Sequence, residues 1–189
     1  MPRAARVALL SPPYSTLTYT VPSWFPGVLL KIGVRVAVPL GKKGLRSAVI
    51  LEIDPPPDPA LAGLELRPLW WPLERAPLLT ARYLDLIDHL ARFQMTTLGR
   101  VLGNVLPLEV KSARVILRVF EKGEKGLPRN ILLTELINLK EAELLNLAAL
   151  WESGAADIQE SAGEALDRDV CVVTADPPWP LRPQAKRQL

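Results

Sequence analysis

Apolar and polar positions alternate along the first third of the chain and recur at helical spacing in the rest. Residues 4–11 predict a first strand, ended by Pro12-Pro13, and Thr16 to Val21 a second, closed by Pro22. Ser23 to Gly27 reads as a loop carrying two large aromatics. Between Gly33 and Ile50 the pattern is strand, tight turn, strand. Val34, Val36 and Val38 alternate with Arg35 and Ala37, Pro39 stops the strand, and Gly41-Lys42-Lys43-Gly44 supplies the turn. Ala48 to Leu51 returns as apolar strand. Asp54 to Pro59 is a stiff connection that cannot join a central strand, and Leu64 to Trp71 opens with alternation, predicting one more short strand. Several short strands with proline-rich corners suggest a small β-barrel-like domain or curled sheet.

The period changes at Thr80, a predicted N-cap. Tyr83, Leu84, Ile87, Leu90 and Ala91 then share one helical face. Thr97 to Leu106 predicts a shorter helix, broken by Pro107, whose Gly99 and Gly103 permit close packing. Beyond residue 111 the expectation is a helix over Ser112–Glu121, a turn at Gly126 to Arg129 into a helix over Asn130–Ile137, and a helix capped by Asn138 with Glu141 as its capping-box partner. Leu144, Leu145, Ala148, Ala149 and Trp151 give that last helix its apolar face. Residues 155–159 and 169–174 read as two strands. Three helices followed by a β-hairpin form a winged helix. The predicted fold class is therefore α+β: a β-rich domain with C-terminal helices over residues 1–110, a winged-helix domain over 111–176, and a basic, proline-rich linker over 177–189.

Charge sharpens this picture. No Asp or Glu precedes Glu52, whereas Arg3, Arg6, Lys31, Arg35, Lys42, Lys43 and Arg46 all do. Residues 1–110 carry twelve Lys/Arg against eight Asp/Glu, and residues 111–189 eleven against twelve. A basic half built of strands suits a polyanion, so Arg35, Lys42, Lys43 and Arg46 are candidate phosphate contacts. Tyr14, Tyr19, Trp24, Phe25, Trp70 and Trp71 are candidates for stacking on unpaired bases, weighed against the commoner fate of such residues in a small core.

Catalytic signatures are weak by comparison. The phosphate-loop pattern GxxxxGK[ST] is absent, and Gly41 to Gly44 resembles it only in composition. One histidine, His89, and one cysteine, Cys171, support neither a nucleophilic triad nor a zinc site; His89 reads as a surface residue and Cys171 as a buried strand thiol. No apolar run is long enough to span a membrane, and the first residues do not resemble a signal peptide, so a cytoplasmic, nucleoid-associated location is expected. The helix over Asn138–Ser153 carries Glu141, Glu143 and Glu152 and would repel phosphates, which points it toward protein docking rather than major-groove reading.

Three ordered blocks resemble one family. Thr16-Leu-Thr-Tyr-Thr-Val-Pro22 and Gly33-Val-Arg-Val-Ala-Val-Pro-Leu-Gly-Lys42 resemble the opening of the primosomal protein N′ (PriA) family of replication-restart helicases, and Leu84 to Pro107 resembles its next block. Gly126 to Arg129 and the helices after it resemble the family's winged-helix domain. The resemblance implies that residues up to about 110 recognise the 3′ end of the nascent leading strand at a stalled fork. It implies a terminal-nucleotide pocket using Leu17, Thr18, Tyr19 and Gly41, with Arg67 at a basic position. The family's Phe-Asp pair is Leu17-Thr18 here, so a carboxylate acceptor is replaced by a weaker hydroxyl, and its paired tyrosines are Gln94-Met95.

By the same resemblance the partners are branched and single-stranded DNA, single-stranded-DNA-binding protein and other primosome proteins, with the chain monomeric. No catalytic residue, metal or cofactor is expected in these residues. ATP and zinc belong to helicase lobes that would follow, toward which the 177–189 linker leads. The rival reading is a non-catalytic protein-interaction scaffold of the replisome; a hydrolase assembled from scattered acids ranks last.

Overall fold

The computed structural model describes residues 3–41, 44–107, 109–111, 115–119 and 130–160. The first strands are β1 (Ala4–Leu9), β2 (Thr16–Thr20), β3 (Arg35–Pro39), β4 (Leu45–Ile53) and the two-residue β5 (Trp71–Pro72). They form one antiparallel sheet in the order β2-β1-β4-β3-β5. The alternation read from the sequence sets its inner face. Val7, Leu9, Val36, Val38, Ala48 and Ile50 converge with Tyr19, Phe25, Leu30 and Leu69 in one buried cluster.

The sheet curls but does not close. Residues 67–73 run from one edge to the other: Thr20 N donates to Arg67 O and Leu69 N to Thr20 O, while Trp70 N donates to Ala37 O. On the β2 side this amounts to a single parallel bridge, Thr20 to Pro68. Proline explains why: Pro68 and Pro72 have no N–H with which to extend a ladder. The sequence predicted a strand over Leu64–Trp71 and a small barrel; the structure has only the short β5 and an open, curled sheet.

Helices α1 (Ala81–Phe93) and α2 (Leu98–Val105) cover the opposite face. Thr80 and Thr97 cap them through Oγ1, which accept from Tyr83 N and Arg100 N at 3.3 Å. Leu84, Ile87 and Ala91 of α1, with Val101 and Leu102 of α2, pack against Ala8, Leu10 and Val49. Helix α2 lies close on β1: a Cβ on Gly99 would stand 2.5 Å from Leu9 O, and one on Gly103 would stand 2.7 Å from Tyr14 Cε1. The glycine spacing does serve close packing.

The second unit departs from the winged-helix expectation. Residues predicted as its first helix contain strand β6 (Val115–Val119), which pairs with β7 (Asn130–Leu132) and β8 (Ala156–Glu160) in the order β7-β6-β8. A β-branched run of this length satisfies helical and strand spacing equally, and its pairing decides. The predicted helix over Asn130–Ile137 is instead β7 followed by a 3₁₀ turn, Leu133–Asn138. Among the described residues one α-helix follows, α3 (Glu141–Ser153).

The cap of α3 also lies elsewhere than expected. Lys140 stands at the N-cap and its N–H donates to Glu143 Oε2 at 2.7 Å, because Leu139 N still closes the 3₁₀ turn onto Leu136 O. The buried face of α3 is Leu144, Leu147, Ala148 and Trp151; Leu145 and Ala149 point outward. The expected turn at 126–129, the strand at 169–174 with Cys171, and the linker at 177–189 lie outside the described residues.

The two units share one core. Ala37, Trp71, Leu73 and Leu29 from the first pack with Leu117, Leu133, Leu136, Leu147 and Trp151 from the second. Trp24 stacks on Trp71 with centroids 6.2 Å apart and planes at 16°, and Trp71 meets Trp151 edge-on at 6.2 Å. Arg75 fastens the seam. Its guanidinium lies 4.5 Å from the Trp151 ring centroid and donates to the carbonyls of Trp151 (2.6 Å) and Ala156.

Candidate nucleic-acid interface

Strand alternation splits the predicted pocket residues. Leu17 and Tyr19 share the inner face of β2, where Leu17 is half-buried and Tyr19 is 3% exposed. Tyr19 Oη donates to the Pro39 carbonyl at 3.0 Å, tying β2 to the end of β3. Burial pushes the Tyr19 phenol above its usual pKa of 10.0, with the nearby Arg67 cation pulling the other way. Thr18 points to the other face and lines a separate cleft of about 340 Å³ with Arg6, Leu66 and the proline-rich connection. The structure therefore joins Tyr19 with Arg67, and sets Thr18 apart from them.

Gly41 begins the basic turn at φ +67°, and a Cβ there would meet nothing within 4 Å. Conformation, not crowding, calls for glycine at this position. Arg67, exposed at its guanidinium, donates from Nη1 to Gly41 O at 2.6 Å. Leu40 N bonds Gly44 O at 2.9 Å, closing the turn. Lys42 and Lys43, between Gly41 and Gly44 in sequence, lie outside the described residues. Arg46 is exposed on β4 beyond the turn and makes no ion pair among the described residues.

Arg35 has a different role from the phosphate contact expected of it. It is 5% exposed, its Nε stands 2.8 Å from Glu74 Oε1, and Nη1 donates to the Val110 carbonyl, which Ser47 Oγ also reaches at 3.2 Å. The strand that reads as half-buried is buried on both faces, so its guanidinium acts as an internal strut. Arg3 and Arg6 likewise meet acids of the β4 end, Asp54 at 3.1 Å and Glu52 at 2.9 Å, but on the surface.

The aromatics resolve toward packing. Tyr19, Phe25 and Trp71 are buried, Trp24 and Trp70 meet edge-on at 6.5 Å, and Tyr14 packs against the α2 glycines. His89 is exposed on α1, as its sequence context predicts. No group of acids, histidines and cysteines suited to a metal occurs among the described residues, and no helix there is long and apolar enough to cross a membrane.

Beside the turn the surface opens into a cleft of about 410 Å³. Pro39, Gly41, Gly44, Leu45, Arg67 and Trp70 line it from the first unit, and Thr134 and Ile137 from the second. Its size falls in the range of small-ligand pockets, and it carries backbone polar groups, one guanidinium and an apolar side. The sequence reading missed Thr134 and Ile137. No local pattern marks them: residues three apart share a face in an α-helix as in a 3₁₀ helix, and the packing of their turn against Trp70 brings them to the cleft.

The chain is similar to known proteins over most of its length. A family model described as the 3′ DNA-binding domain (3′BD) of PriA matches residues 6–107, which include Tyr19, Gly41 and Arg67. The replication restart protein PriA of Haemophilus influenzae is 29% identical over 171 residues, covering 87% of this chain and 22% of that protein. The chain thus spans about a fifth of the length of this relative. With more than half of its residues matched, the chain belongs to the PriA 3′ DNA-binding domain family.

Proposed function

We propose that this chain is the fork-recognition region of a replication-restart protein. It binds branched and single-stranded DNA, holds the nascent leading-strand 3′ end in the cleft that Gly41 and Arg67 line together, and places a 3′-to-5′ helicase motor on the fork. The observation that carries this reading is the coincidence of the family match over residues 6–107 with an open cleft whose wall is the positive-φ Gly41 and whose cation is Arg67. Arg46 and the turn lysines Lys42 and Lys43 supply sequence-independent phosphate contacts around it. Arg35 takes no part in the contact, because it is internal. Nucleoid-associated location, single-stranded-DNA-binding protein and other primosome proteins as partners, and a monomeric chain complete the proposal.

The scaffold reading keeps one observation in its favour: Glu141 and Glu152 leave α3 acidic and exposed. Salt separates the two. Fluorescence anisotropy on forked DNA should show affinity falling steeply as salt rises, and Lys42→Ala with Lys43→Ala should shallow the log–log slope by roughly one per lysine. They should weaken all DNA sequences about equally. A fork affinity unchanged by salt and by both substitutions would return the scaffold reading to first place.

A further inference from the structure

The cleft has two owners, and this follows from the geometry of one turn. Residues 133–138 form a 3₁₀ helix, in which side chains three apart eclipse one another. Leu133 and Leu136, one such pair, are each 1% exposed in the core shared by both units. Thr134 and Ile137, the next pair, must then share the adjoining face, and that face lines the same cleft as Gly41 and Arg67. The turn is held there firmly. Trp70 Nε1 donates to Leu133 O at 2.6 Å, and Leu132 N donates to Glu135 Oε2 at 3.1 Å.

Ile137 is 71% exposed, although its turn is anchored on both sides by buried leucines. An exposed isoleucine in a cleft that also carries a guanidinium and an open glycine backbone offers what a terminal nucleotide needs. A base or sugar face lies against apolar surface, and the phosphate meets the cation. Building on the proposed end-binding function, we infer that the 3′-end pocket is composite. Gly41 and Arg67 of the first unit hold the backbone of the terminal nucleotide, and Ile137 and Thr134 of the second unit cover its base or sugar. The pocket therefore includes residues beyond the 3′ DNA-binding domain matched over residues 6–107.

The test uses the full chain, with a fluorescent linear single strand competed by a covalently closed circle of the same sequence. The readout is the ratio of the two affinities. Ile137 and Thr134 are both exposed, so Ile137→Ser and Thr134→Val leave the fold intact. Ile137→Ser lowers the end preference about fivefold, the scale expected for part of a buried aliphatic side chain. Thr134→Val lowers it less, and Arg67→Ala lowers it as well. Leu86→Ser, an exposed apolar loss on α1 away from the cleft, keeps the wild-type ratio.

If Ile137→Ser and Thr134→Val keep the preference while Arg67→Ala loses it, the first unit alone makes the pocket and the composite assignment is overturned. If Leu86→Ser lowers the ratio as much as Ile137→Ser, the effect is general and the assignment is equally overturned. A wild-type ratio of one would remove the end-binding function itself, and the composite pocket with it.

Discussion

Two arginines separated by one strand and a loop have opposite fates. Arg35 alternates into a sheet buried on both faces and pairs with Glu74, whereas Arg67 sits at the curl of the sheet with its guanidinium on a backbone carbonyl at the cleft. Their substitutions should separate accordingly. Arg35→Ala removes the buried guanidinium that stands 2.8 Å from Glu74 and should cost about 2–4 kcal/mol in urea unfolding, below a fully buried pair because Glu74 keeps some solvent. Arg67→Ala should leave the unfolding midpoint nearly unchanged and weaken DNA. Tyr19 adds a pH signature. Its folded pKa lies above the unfolded value of 10.0, so the unfolded chain deprotonates first. The stability this contributes is complete below pH 10 and is lost as pH rises through the folded pKa. Tyr19→Phe should show a correspondingly shallower alkaline loss when unfolding is followed from pH 9 upward.

Among the elements, those fixed by short-range chemistry were legible in the sequence. Thr80 is a capping residue whatever the tertiary structure, and the valine alternation of β3 needs no partner to be seen. Gly99 and Gly103 also signalled close packing, and the backbone of β1 shows why. Gly99→Ala puts a Cβ 2.5 Å from Leu9 O, a rigid neighbour, and should destabilise by about 1–3 kcal/mol in thermal or urea melts. Elements decided by partners were not legible. Val115–Val119 is a strand because β7 and β8 flank it, and the 3₁₀ turn exists because Trp70, sixty-three residues away, binds its carbonyl. Of the candidate site, Tyr19, Gly41 and Arg67 were found through family resemblance. The separation of Thr18 followed from strand alternation, and the withdrawal of Arg35 depended on Glu74 and Val110, which no local pattern connects to it.

At the scale of the whole molecule, the tryptophans set the arrangement. Trp24, Trp71 and Trp151 join the units in one core, and Arg75 closes the seam on the Trp151 face. Since both units wall the cleft, its shape depends on that seam. Arg75→Ala should lower stability by about 2 kcal/mol through lost charge-assisted hydrogen bonds and the cation–π contact, and should reduce DNA affinity without touching the cleft. Calorimetry alongside a DNA titration checks both. The most direct test of the central claim is fluorescence anisotropy on a fork whose nascent leading strand ends in a free 3′-hydroxyl, compared with the same end blocked by phosphate. The Pro39 and Gly41 carbonyls can each accept a further hydrogen bond, which suits a hydroxyl donor and not an acceptor-only phosphate. Tighter binding to the free hydroxyl is the predicted result; equal binding to both ends would contradict recognition of the strand terminus in this cleft.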